Sequence, residues 1–119
     1  PEIFKNLDKN DFLFIDSTHV SKFNSDVNYE IFDILPMIKS GVFIHFHDVF
    51  DGFVYPLEWL NLGWAWNENY ILYAFLSYNR CYETLLMNDY LVSRHEKLLL
   101  KTFNRVPNNN GGSLWIKKL

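Results

Sequence analysis

The sequence predicts an α/β fold built around an open, largely parallel sheet. Two short apolar runs, Phe12-Leu13-Phe14-Ile15 and Val42-Phe43-Ile44-His45-Phe46, lack polar–apolar alternation. That pattern belongs to strands covered on both faces. Between them Val27, Ile31, Ile34, Leu35 and Ile38 recur at helical spacing. Strand, helix and strand within about 35 residues make a βαβ unit. Its crossover is nearly always right-handed and sets the two strands parallel, so both finish at the same edge of the sheet.

Ile3, Phe4 and Leu7 have the spacing of a helix tail, and Asp8-Lys9-Asn10-Asp11 is a polar turn. The first strand, 12–15, ends at Asp16, and 17–25 is a polar loop. Ser25 or Asp26 caps a helix from Val27. Pro36 should kink it by removing a backbone donor, and Gly41 stops it. The second strand runs over 42–48. Pro56 opens a short helix that ends at Gly63. Asn67 and Glu68 start the next, over 67–79, whose Tyr70, Ile71, Tyr73, Ala74, Phe75 and Leu76 make it apolar nearly all round and so deeply packed. Tyr82 to Leu86 is a third strand. Leu91, His95, Leu98, Leu99 and Phe103 form a helical stripe, and 112–117 is a closing strand. Pro107-Asn108-Asn109-Asn110-Gly111-Gly112 reads as an exposed turn.

The chain has 119 residues, a size suited to one unit over 1–119 with a core of its own. A hydrophobic share of 49% against 21% charged excludes default disorder. Eleven Lys and Arg face 14 Asp and Glu, a net charge of −3, which argues against nucleic acid and anionic membrane as partners. The longest apolar stretch, Tyr70 to Tyr78, falls well short of the ~18 residues of a membrane helix. Cys81 is the one cysteine, which excludes an internal disulfide and points to a reducing, cytoplasmic compartment. The chain opens at Pro1 with no leader pattern and no initiator Met, so an upstream segment is expected. Aromatic residues at 18% predict a ring-rich core or an apolar surface that meets another protein unit.

Two strand ends carry the chemistry. Asp16-Ser17-Thr18-His19 follows the first strand and His47-Asp48 closes the second. Ligands of open α/β sheets bind outside the carboxyl ends of the strands, so these groups should share a crevice. Carboxylates with an imidazole suit a divalent cation, and a remaining histidine suits a general base. Each also has a structural alternative: Asp16 as an acceptor for turn amides, His45 as a satisfied core histidine, His95 as helix packing. Trp59, Trp64 and Trp66 read as core or interface, not as a base-stacking platform. The glycines, at 41, 52, 63, 111 and 112, form neither a G-x-G-x-x-G loop nor a P-loop.

Read in series, these segments resemble the second half of a class I S-adenosylmethionine-dependent methyltransferase, nearest the branch called methyltransferase family 24. The match is carried by Phe14-Ile15-Asp16-Ser17-Thr18-His19, Ser25-Asp26-Val27, Ile34-Leu35-Pro36, Ser40-Gly41-Val42, His45-Phe46-His47-Asp48, Tyr55-Pro56, Trp66-Asn67-Glu68 and Gly111-Gly112-Ser113-Leu114-Trp115-Ile116. The resemblance implies a partial Rossmann-like sheet, strands equivalent to the fourth to seventh, with helices on both faces and the last strand inserted antiparallel. It implies that the glycine-rich cofactor loop lies in a missing N-terminal half, so the chain alone would lack most of the S-adenosylmethionine pocket. By resemblance Asp16 and Ser17 border the cofactor, Asp16, His47 and Asp48 hold a divalent cation, and His19 is the catalytic base. The activity implied is O-methylation of a small or sugar-like acceptor. His47 stands where those relatives commonly carry Asp, which puts Mg²⁺ in doubt.

Two alternatives remain at the level of sequence. One is a non-catalytic interaction module that associates, as a homodimer or with a missing half, through a sheet edge left open before Phe12. The other is a separate metal hydrolase or oxygenase on His45, His47 and Asp48. It is weakened because alternation puts both histidines on one face of the strand and Asp48 on the other.

Overall fold

The computed structural model describes residues 2–103 and 111–119. Of the predicted turn over 107–112, residues 107–110 lie outside the described residues. The elements in chain order are α1 (Glu2–Lys5), β1 (Phe12–Ile15), α2 (Asp26–Tyr29), a π-helical stretch (Glu30–Ile34), α3 (Leu35–Met37), β2 (Phe43–His47), α4 (Leu57–Asn61), α5 (Glu68–Leu76), β3 (Tyr82–Met87), α6 (Asn88–Phe103) and β4 (Ser113–Lys118). A 3₁₀ turn, Asp51–Phe53, precedes α4.

The fold is α/β with a four-stranded mixed sheet in the order β1-β2-β4-β3. β1 and β2 are parallel, as the βαβ spacing requires, with Phe12 opposite Phe43 and Ile15 opposite Phe46. The last strand, β4, is inserted between β2 and β3 and is antiparallel to both. Asp16 and His47-Asp48 therefore leave the sheet at one edge.

One face of the sheet holds the core. Ile15, Ile44, Phe46, Leu114 and Ile116 are buried there against the helical stripe Val27, Ile31, Ile34, Leu35 and Ile38, every member of which is buried. Ser25 caps α2 by accepting the Asn28 N–H at 3.2 Å, the bond a capping serine makes. Pro36, expected to kink the helix, is accommodated by a change of helix type. The helix widens into the π stretch just before it, with the Leu35 N–H donating to Glu30 O, and Pro36 falls in the first turn of α3, where its missing donor is harmless. The carbonyls left at the end of α3 are met from the sheet. The Tyr82 hydroxyl donates to Leu35 O at 2.6 Å, and Lys118 Nζ donates to Leu35 O and Pro36 O at 3.0 and 2.7 Å. Gly41 has φ +90, and a Cβ there would lie 2.7 Å from Lys9 Cγ, so both backbone and space require glycine.

Three expectations are corrected. β1 and β2 are covered on one face only: Phe12 and Phe14 are 63% and 62% exposed, and none of Phe43, His45 and His47 is buried. The apolar run was read as two-sided cover, whereas its outward members form an aromatic surface. Phe12 stacks on Phe43 at 5.2 Å, and Phe14 on His45 at 4.8 Å. Second, α5 is packed by one side alone. Leu72 is buried while Tyr70 and Tyr73 are exposed, so apolar residues all round did not mean burial all round. Third, the α6 stripe buries nothing. His95, expected to pack, is exposed and breaks the helical backbone at φ −131, ψ 30.

Candidate functional site

The parallel pair delivers Asp16 and His47-Asp48 to one rim, and the loop after β1 adds His19. His19 is 5% exposed. Its Nδ1 lies 2.6 Å from Glu68 Oε2, and its Nε2 lies 3.6 Å from both Asp16 Oδ1 and Asp48 Oδ2. His47 Nδ1 is 3.2 Å from Asp48 Oδ1 and 3.8 Å from Asp16 Oδ1. The four side chains proposed from the strand ends are thus brought together. Ser17 stands beside them, its Oγ donating to Glu68 Oε1 at 3.4 Å.

The loop is fixed from both sides. Thr18 donates through its N–H and hydroxyl to Asp26, at 2.9 and 2.6 Å. Partial burial pushes the Asp26 carboxyl up, but these bonds with those from the α2 amides hold it below the usual range. On the other side the Asn67 and Glu68 N–H groups at the start of α5 both donate to His19 O, at 2.9 and 3.1 Å. The Asn67 side chain accepts the Ser21 N–H at 2.6 Å and donates to Ser21 O at 3.2 Å. His19 and Asp48 both adopt left-handed backbone, φ 59 and 55. Asp48 is held there by its N–H donating to Gly112 O at 2.7 Å, and by Asn69 Nδ2 donating to its carbonyl at 3.2 Å. Non-glycine residues in that region concentrate at functional sites.

Burial alone would push the His19 imidazole down. The Glu68 hydrogen bond and the negative charges of Glu68, Asp48 and Asp16 outweigh it and hold the ring above its usual value. Beneath it, burial pushes the Glu30 carboxyl up to about 7. Ser17 opposes this by hydrogen bonding, while the charges of Glu68 and Asp26 reinforce it. Glu30 Oε2 is buried with no hydrogen-bond partner among the described residues, a setting that disfavours the charged form.

His45 is part of the aromatic surface and not a satisfied core histidine. Both its ring nitrogens are buried without partners among the described residues, Phe14 and Trp115 flank the ring, and burial, aided by His47, pushes its pKa down. Trp59, Trp64 and Trp66 form a cluster beside the site, with centroids 4.8 to 5.2 Å apart. Trp66 lies 4.2 Å from the His19 ring. A cleft of about 310 Å³ opens next to them, bordered by His47, Asp48, Phe50 and Trp59, near the lower end of small-ligand sites.

Among the described residues no three His, Cys, Asp or Glu side chains are arranged as a ready ligand set for a metal ion. Asp16, His47 and Asp48 are donors of the types a divalent cation takes, two carboxylates and an imidazole, and they border one rim. Glu68 and Glu30 were not foreseen as site residues. Glu68 reads in sequence as an acidic first-turn residue of a helix, and its partner His19 lies 49 positions away. Glu30 reads as an ordinary polar helix position. Glu68 stands in the segment Trp66-Asn67-Glu68 that carries the resemblance, but no role attaches to it there, and no local pattern flags Glu30. No family model, no curated protein and no solved structure matches this chain.

Proposed function

We propose that this chain forms the second half of an S-adenosylmethionine-dependent methyltransferase domain that methylates a hydroxyl of a small or sugar-like acceptor. One observation carries the reading: a parallel β1–β2 pair brings Asp16, His19, His47 and Asp48 to a single rim. The antiparallel insertion of the last strand between β2 and β3 supports it, because the resembled family closes its sheet that way. The aromatic outward face of β1 and β2 is where helices of the other half would pack in this reading.

S-Adenosylmethionine would supply an electrophilic methyl group. His19 Nε2, buried and facing the rim, takes the proton of the acceptor hydroxyl as its oxygen attacks. Asp16, His47 and Asp48 would hold a divalent cation whose charge lowers the pKa of that hydroxyl and fixes its approach. Ser17 and Asp16 border the cofactor side. Trp66 lies against the His19 ring and covers one side of the base.

The test is methyl transfer from labelled S-adenosylmethionine by the protein extended with the coding sequence that precedes Pro1. Transfer is expected, falling about 10²- to 10⁴-fold in His19→Asn, the range for loss of a general base. An upstream sequence with no strand followed by a glycine-rich turn would overturn the reading. A second reading, a non-catalytic module that associates through the β1 edge, draws on the exposure of Phe12 and Phe14.

A further inference from the structure

The two nitrogens of the His19 ring face different partners. Nδ1 points inward to Glu68, which is 1% exposed and has its other oxygen against Ser17. Nε2 points to the rim between Asp16 and Asp48 at 3.6 Å, too far for a hydrogen bond to either. A carboxylate can only accept, so at 2.6 Å Nδ1 must donate, and the neutral ring then carries its lone pair on Nε2. The ring of a free histidine prefers the opposite tautomer, with the proton on Nε2, so the protein selects the less common form. The ring is buried with Trp66 against it, and its backbone carbonyl is tied to the α5 amides, so loop and ring are both held.

We propose that Glu68 is the positioning residue of His19: its buried carboxylate holds the proton on Nδ1 and so leaves Nε2 as the working nitrogen at the rim. This rests on His19 acting as the proton acceptor of the proposed reaction. It extends that reading to a residue that touches neither acceptor nor cofactor. The arrangement is the general one of a base oriented by a third group. Glu68 can do this because the helix that carries it also binds the loop that carries His19. Carboxylate and ring are thus set by one hydrogen-bonded unit.

The experiment reads the ring directly. The ¹⁵N-labelled chain is examined by long-range ¹H–¹⁵N correlation at a pH where the His19 ring is neutral. A protonated Nδ1 and a bare Nε2 are expected, with a far-downfield Nδ1 proton. In Glu68→Met, of similar length but with no acceptor, the proton should move to Nε2. An Nε2-protonated ring in the unaltered chain, or a Met variant with its tautomer unmoved, would overturn the proposal. If the Met variant does not fold, the tautomer of the unaltered chain decides alone. The spectra are independent of turnover. The expected tautomer without methyl transfer by the extended protein would sink the functional reading and leave the role of Glu68 standing. Transfer with the wrong tautomer would do the reverse.

Discussion

Glu30 shows how one side chain writes the candidate site into the stability of the molecule. Burial pushes its carboxyl up to about 7 in the folded chain from an ordinary 4.5. Between those values the folded state binds more protons than the unfolded one, so stability falls as pH rises. The stabilising share is complete below about 4.5 and is lost as pH passes about 7. His19, also held above its usual value, slopes the same way. The contribution of Glu30 is therefore isolated by difference. Glu30→Gln copies the protonated form. It should match the unaltered chain near pH 4.5 and exceed it in melting temperature at pH 8, as followed by circular dichroism across that window. Equal curves for the two proteins would mean that Glu30 is ionised and solvated in the folded state.

At the level of elements, the segment α2 to α3 depends on the sheet for its C-terminal carbonyls. Lys118 Nζ meets two of them, and burial pushes its pKa down. Lys118→Met keeps the stem and removes the donors, which should cost about 1 kcal/mol in urea unfolding. Tyr82 still serves Leu35 O in that variant, and the exposed Pro36 O passes to water, so the cost stays that of lost bonds and not of a stranded acceptor. How much was legible in the sequence differs by element for a physical reason. The βαβ unit was legible because Val27, Ile31, Ile34, Leu35 and Ile38 bury together and their spacing records it. The outward face of β1 and the sides of α5 and α6 were not, because apolar residues mark what could be covered and not what covers it. His95 was misread for the same reason. The strand-end acids and imidazoles were legible through topology alone: parallel strands end together. Glu68 was invisible, since its contact with His19 exists only after α5 docks on the loop.

On the scale of the whole molecule, one face of the sheet is a closed core and the other an open aromatic surface. The radius of gyration, 15.2 Å, exceeds the ~13.5 Å expected of a compact chain of this length. With β1 at the edge and Phe12 and Phe14 largely exposed, the chain taken alone should self-associate. Sedimentation velocity should show the weight-average coefficient rising with concentration. Phe12→Lys combined with Phe14→Lys should flatten that rise, because charge on an edge strand opposes pairing. A single species at every concentration would count against both the interaction-module reading and a missing half that packs there.

The hydrogen bonds from the start of α5 to the carbonyl of His19 tie two distant stretches of chain into one lever. The His19 backbone and the first turn of α5 share those bonds, so the two should open together in hydrogen exchange.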